Sequence, residues 1–183
     1  MTLLPAFDPV LGHAGAAFIA VLLLSAAWHK LRDLALFRAV LDNYRLLPAA
    51  WLPAAALALP LAEATVGLLL LPLETRAAAG WGALALLALV TTAVVINLQR
   101  GRARIDCGCG GTEQQPLSWG LVARNAVLGL LCLVIAAPAT GRATVWLDLA
   151  ASLLATLFAL GLYALVNQLL ANHPRLLDLR NHP

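Results

Sequence analysis

Five long apolar runs, separated by short polar segments, organise this chain. They cover about residues 10–28, 53–71, 77–98, 119–137 and 144–170, and each matches the roughly 20 residues that a helix needs to cross the hydrocarbon of a bilayer. Between the first two runs, the stretch HKLRDLALFRAVLDNYRLLP sets Leu31, Leu34, Phe37, Leu41, Tyr44 and Leu47 at spacings of three and four. Lys30, Arg32, Asp33, Arg38, Asp42 and Arg45 fall mostly between them. That spacing predicts an amphipathic helix over 30–47, lying in the membrane interface and ended by Pro48. The 71–76 connection is short, so the second and third runs should form an antiparallel hairpin. The longest polar connection, 101–118, is rich in glycine, and Ser118 is placed to cap the fourth span.

The fifth run has 27 residues and carries Asp148 near its start, so a tilted helix or a later start is expected. The tail ANHPRLLDLRNHP is polar and is expected to be mobile. Gly67, Gly82, Gly129 and Gly161 offer points where helices can approach closely. The pattern predicts an all-α integral membrane protein occupying 1–183 as a single membrane domain. Its architecture should be an antiparallel helical bundle of four core transmembrane helices, a fifth span, and an interfacial amphipathic helix after the first.

Composition strengthens this reading. The chain is 62% hydrophobic and 11% charged, with a mean hydropathy of +0.86, which leaves no room for a soluble domain beside the spans. The first run is followed by basic residues and has none before it, so a retained helix is expected rather than a cleaved signal. A net charge of +3 would permit nucleic-acid binding, but the basic residues are distributed by loop and not gathered with aromatics, so no nucleic-acid partner is expected. Their distribution reports orientation instead. With the N-terminus outside, Lys30, Arg32, Arg38, Arg45, Arg100, Arg102, Arg104, Arg124, Arg175 and Arg180 lie on or toward the inner side, against Arg76 and Arg142 outside. The 101–118 loop and the C-terminus are then cytoplasmic, where thiols are kept reduced.

Candidate chemistry concentrates in and near that loop. Cys107 and Cys109, separated by Gly108, are two of the three cysteines in the chain. Such a pair can close a small, strained and readily reduced disulfide ring, with the glycine relieving the backbone. Arg100, Arg102, Arg104 and the start of the fourth helix favour thiolate, while Asp106 opposes it. Cys132, in mid-span, reads as a small packing residue. Polar side chains inside spans cost several kcal/mol unless partnered, which singles out Glu63 and Arg124 as a prospective ion pair. His29, Glu63, Asn97, Arg124 and Asn125 read either as a polar pocket beside the cysteines or as a structural network that fixes helix register. Cys107, Cys109 and His29 would suit copper(I) or zinc, although three ligands fall short of a closed structural zinc site. Nucleophile-elbow, phosphate-loop and HExxH motifs are absent, which leaves hydrolase and nucleotide-driven pump readings without support.

Taken in order, WHKLRD (28–33), NYRLLP (43–48), NLQRGR (97–102), DCGCGG (106–111), PLSW (116–119) and the Arg124-Asn125 pair resemble the methylamine utilisation protein MauE family, which is grouped with the DoxX-like membrane proteins. The resemblance runs over about 10–135. It departs from the family pattern at Gly110, where an aromatic commonly follows the second cysteine, and it leaves the fifth span outside. What it implies is an accessory role in maturing a periplasmic disulfide-rich protein, the small subunit of methylamine dehydrogenase, with a thioredoxin-like periplasmic partner. It also implies residence in the bacterial inner membrane and a bundle similar to quinone-linked disulfide-forming proteins. On that basis Cys107 and Cys109 would cycle between dithiol and disulfide, with Arg124 and Trp119 near a quinone. Two other readings stay open. One is a non-catalytic membrane scaffold or copper- or zinc-binding protein; the other is a small-molecule or copper transporter resting on Glu63 and Arg124. A cytoplasmic cysteine pair serving a periplasmic substrate would need a quinone, a re-entrant loop or alternating access.

Overall fold

In the computed structural model, the structure describes residues 7–102, 105, 116–138 and 144–181, with side chains described up to 172. All six long elements are helices: α1 (Pro9–Arg32), α2 (Leu34–Tyr44), α3 (Leu52–Leu69), α4 (Leu73–Gln99), α5 (Trp119–Ala136) and α6 (Trp146–Asn181). Among the described residues, five are long and apolar enough to cross a membrane, the exception being α2. The protein is therefore an all-α, multi-pass membrane protein.

Helices α1 and α2 begin on local side-chain caps, whereas Ser118 precedes α5 without a side-chain capping bond. Asp8 caps α1 by accepting from the Val10 N–H at 2.9 Å, with Pro9 in the first turn. Asp33 breaks the chain between α1 and α2 and caps α2 by accepting from the Leu36 N–H at 2.8 Å. The amphipathic helix is thus shorter than its hydrophobic spacing predicts. Lys30 belongs to α1, and α2 stops where Arg45 takes a left-handed conformation (φ 49°). At the other extreme, α6 continues through Asn181 and absorbs the segment read as a mobile tail.

Helix α1 packs chiefly on α3 and α6, and α4 on α5. Register along α1 and α6 is parallel: Ser152 Oγ donates to the Val10 carbonyl, Thr156 Oγ1 to that of Ala14, and Tyr163 meets Phe18 edge-on at 6.0 Å. Hydroxyls and small residues are the usual adhesive where lipid is as apolar as leucine. The core between the helices is built from Ala16, Phe18, Ile19, Ala20, Ala79, Ala83, Leu128, Cys132 and Ile135. Helices approach closely at Gly80, where a Cβ would lie 3.0 Å from the Ala136 backbone nitrogen, and at Gly67, where it would meet Leu24 at 3.0 Å. Gly161, by contrast, faces open space.

All five tryptophans are more than half exposed, and Trp28, Trp51, Trp119 and Trp146 stand at or within four residues of a helix end. An apolar ring with one polar N–H is favoured at the level of the headgroups, so these four mark the two borders of the membrane.

Candidate functional site

Four charged or amide side chains of the spans, Lys30, Glu63, Arg124 and Asn125, line one cavity between the helices. On α1, Lys30 is 7% exposed and its ammonium forms an ion pair with Oε1 of Glu63 on α3, itself 4% exposed. The same ammonium lies 5.3 Å from the centroid of the Phe37 ring on α2, a favourable seat for a desolvated cation. Glu63 Oε2 is buried and has no hydrogen-bond partner among the described residues.

Glu63 therefore pairs with Lys30, and not with Arg124 as its mid-span position had implied. Hydropathy assigns Lys30 to the interface because two residues later α1 ends. The extra turn of helix after Trp28 and the length of the lysine stem carry its charge inward. Arg124 on α5 is held differently. Its Nε and Nη2 donate to Asn125 Oδ1 at 3.2 and 3.0 Å, Nη1 donates to Asn167 Oδ1 on α6, and its guanidinium lies 5.3 Å from the Tyr163 ring. Asn125 passes the chain on, donating from Nδ2 to Thr91 Oγ1 at 3.0 Å; Thr91 in turn donates to the Leu87 carbonyl. Thr91 and Asn167 join this network although neither was among the sequence candidates. Their signal was the one that flagged Glu63, a polar side chain within an apolar run.

Between these groups lies a cavity of about 100 Å³ at the centre of the bundle, lined by Lys30, Glu63, Arg124, Asn125, Cys132 and Tyr163 among apolar residues. Of the polar pocket candidates, Glu63, Arg124 and Asn125 line this cavity together with Cys132, while His29 and Asn97 do not. A second cavity of about 460 Å³ lies between α2, α3 and α4 and is apolar apart from Lys30 and Tyr44. Lys30, Leu86 and Val90 line both. Its rim includes the exposed side chains of Leu47 and Leu89.

The other sequence candidates sit elsewhere. His29 is exposed, with Nδ1 2.7 Å from the Ser25 carbonyl. Trp119 is 60% exposed at the start of α5 and lines neither cavity. Asn97 is fully buried at the end of α4 and binds the Ala93 carbonyl at 3.1 Å. Its Oδ1 accepts from Arg102 Nη1 at 3.4 Å, and the same Nη1 donates to the Tyr44 carbonyl at 3.4 Å. That arrangement needs a sharp reversal after α4, and Gly101 supplies it at φ +72°. Asn97, Gly101 and Arg102 thus turn the chain at the root of the cysteine loop.

Both ends of the loop are joined there: the Leu117 N–H donates to the Ile105 carbonyl at 3.2 Å. Leu117 is buried with Tyr44, Val94 and Leu121, and Ile105 packs on the same cluster. Cys107 and Cys109 themselves lie outside the described residues, as does any metal site that includes them. Among the described residues, no three histidine, cysteine or acidic side chains are grouped to hold a metal.

Comparison with known proteins identifies the family. Residues 8–138 match the family described as methylamine utilisation protein MauE. The chain is 44% identical over 132 residues to the protein of that name from Paracoccus denitrificans, with 70% of each chain covered. It is 39% identical over 177 residues to that of Paracoccus versutus, covering 91% of this chain and 92% of the relative. With the Methylorubrum extorquens protein it shares 40% identity over 162 residues, covering 84% and 86%. No solved structure matches the chain significantly. A family match from α1 through the end of α5, joined to relatives that extend into α6, places this five-span helical protein in the methylamine utilisation protein MauE family.

Proposed function

We propose that this protein takes part in methylamine utilisation as a membrane thiol-disulfide redox accessory. It would support the maturation of a periplasmic disulfide-rich protein, such as the methylamine dehydrogenase small subunit, in company with a thioredoxin-like partner. What supports the reading is the setting of the Cys-Gly-Cys stretch at 107–109. It occupies a loop whose two ends are joined by the Ile105 to Leu117 hydrogen bond, on a buried cluster contributed by α2, α4 and α5.

The exchange itself is balanced. The thiolate of one cysteine attacks a sulfur of the partner's disulfide, forms a mixed disulfide and expels a partner thiolate. The second cysteine then attacks its neighbour's sulfur, closing the Cys107 to Cys109 bond and releasing the partner as a dithiol; the reverse sequence oxidises the partner. Arg102, fixed on Asn97 and Tyr44, and Arg100 before it add positive charge near the loop and favour thiolate.

The charge asymmetry orients the protein in the inner membrane with the N-terminus periplasmic and the loop at the cytoplasmic side. Exchange with a periplasmic partner then requires that the pair be reached from the other face, which makes sidedness the decisive measurement. In sealed vesicles of known orientation, an impermeant maleimide should label Cys107 and Cys109 only after reduction. The Cys107→Ser/Cys109→Ser variant should lose control of the partner's redox state. Labelling without reduction, unchanged when the partner is deleted, would replace this reading with a scaffold or a metal-binding protein.

A further inference from the structure

We infer that the apolar cavity between α2, α3 and α4 seats one acyl chain of an anionic phospholipid, whose phosphate is held at the cavity mouth by Arg38 on α2 and Arg45 directly after it. The lipid is then a fixed part of the fold, fastening α2 to the bundle whatever chemistry the loop performs.

Shape selects a chain. The α3 wall is set back because Ala55, Ala58 and Ala62 recur there at spacings of three and four, which puts them on one face of the helix. Leu86, Leu89, Val90 and Ala93 of α4 form the facing wall. Each wall extends about 10 Å, at roughly 1.5 Å per residue, so the space is longer along the helices than a single side chain could fill. Its volume, about 460 Å³, falls within the roughly 300–1,000 Å³ range of small-molecule sites, whereas the central cavity has only about 100 Å³. Leu47, Ala58 and Leu89 are exposed, which opens the space to the bilayer. Walls of this kind left empty would forgo the dispersion contacts that a lipid chain supplies.

Charge selects the head group. At the inner wall the Lys30 ammonium is taken up by Glu63 and by the face of Phe37, so its apolar stem is the part suited to an occupant. The mouth is different. Leu41 of α2 lines the cavity with Phe37 and Tyr44, and helical spacing sets Arg38 and Arg45 on the other side of Leu41 from those two rings. Both arginines are exposed, and among the described residues neither guanidinium has a hydrogen-bond or ion-pair partner. Arg102 brings a third guanidinium to the same end of α2, donating to the Tyr44 carbonyl at 3.4 Å, where it also offsets the negative end of the helix dipole. Against these three stands the exposed carboxylate of Asp42. A phosphodiester accepts charge-assisted hydrogen bonds from guanidinium groups, whereas a zwitterionic head group brings its own cation to a mouth already rich in them.

Position gives the lipid a consequence. Val40, Tyr44, Leu46 and Ala93 line the cavity, and the same four belong to the cluster that holds Ile105 and Leu117. A chain in the cavity therefore packs on side chains that also carry the root of the 101–118 loop, and its presence should steady α2 and that root together.

The test uses the full-length protein, delipidated in neutral detergent and returned to phosphatidylcholine nanodiscs with a trace of phosphatidylglycerol that carries a photoreactive acyl chain. Cross-links mapped by mass spectrometry should concentrate in Phe37–Leu47, Ala55–Ala62 and Leu86–Ala93. Unlabelled phosphatidylglycerol should displace the probe about tenfold better than phosphatidylcholine does, and Arg38→Gln/Arg45→Gln should remove most of that preference. Filling the cavity by Ala62→Phe, or independently by Ala58→Phe, should weaken labelling about tenfold. In the unaltered protein, backbone hydrogen exchange over Phe37–Arg45 should slow severalfold when phosphatidylglycerol is added to phosphatidylcholine nanodiscs. Labels spread evenly over the lipid-facing helices, or exchange in α2 that is indifferent to phosphatidylglycerol, would overturn the site. Equal competition by phosphatidylcholine would overturn the choice of an anionic head group, and stronger displacement by a neutral apolar molecule such as squalene would give the cavity to another occupant.

Discussion

Two cations that line the same cavity are kept in a membrane by opposite means. Lys30 on α1 is neutralised by one carboxylate on α3 and backed by the Phe37 ring. Arg124 on α5 is surrounded by amide oxygens from Asn125 and Asn167 and by the Tyr163 ring, so that α4, α5 and α6 share its burden through Thr91, Asn125 and Asn167. A single counterion makes an all-or-none arrangement, since either partner alone is a naked charge in low dielectric. A guanidinium spread over several neutral acceptors loses them one at a time. The contrast predicts brittleness at the first site and graded response at the second.

The largest effect is expected at the brittle site. Lys30→Met should cost about 3–5 kcal/mol because it leaves the Glu63 charge buried without its partner, while Lys30→Met/Glu63→Met should recover most or all of it. Unfolding of purified protein by graded SDS in mixed micelles would measure both. A double variant as unstable as the single one would show that the loss lies in packing around α1 and α3, and would erase the contrast with Arg124.

How much of this was legible beforehand follows the range of each physical signal. Apolar runs as long as a bilayer is thick announce themselves, and α1 and α3 to α5 follow them closely, while α6 continues beyond its run to Asn181. Asn97, Gly101 and Arg102 were visible as a motif, but their task of turning the chain beneath Tyr44 depends on contacts across 58 positions. Lys30 escaped because hydropathy averages over a window and cannot tell a lysine reaching inward from one reaching to headgroups. Gly161 was read as a contact point from composition alone, yet a glycine marks close approach only where another helix arrives, as at Gly80. For Cys107 and Cys109 the sequence remains the whole of the case.

A smaller effect sharpens the comparison from a distance. Gly80 lets α4 lie against Ala136 of α5, and these are the two helices joined farther along by Thr91 and Asn125. Gly80→Leu forces backbones apart and should cost about 1–3 kcal/mol. Combined with Asn125→Leu, the cost should be less than additive, because the bond to Thr91 is already loosened. Combined with Lys30→Met/Glu63→Met, it should be additive within about 0.5 kcal/mol. Coupling to the ion pair instead would mean that the two sites are one network across the central cavity.

The smallest effect belongs to Asn167, and its smallness is the point. Removing one acceptor from Arg124 by Asn167→Leu leaves both bonds to Asn125 and the Tyr163 ring in place. Hydrogen bonds between membrane helices average about 0.6 kcal/mol, with a maximum near 1.7, so a loss within that range is expected, read by the same SDS titration. A loss as large as that of Lys30→Met would mean that Asn167 is indispensable to the charge, and that Arg124 depends on α6 as singly as Lys30 depends on Glu63. A loss near the average would fit a helix that touches the bundle mainly along α1 and is held there by the hydroxyls of Ser152 and Thr156.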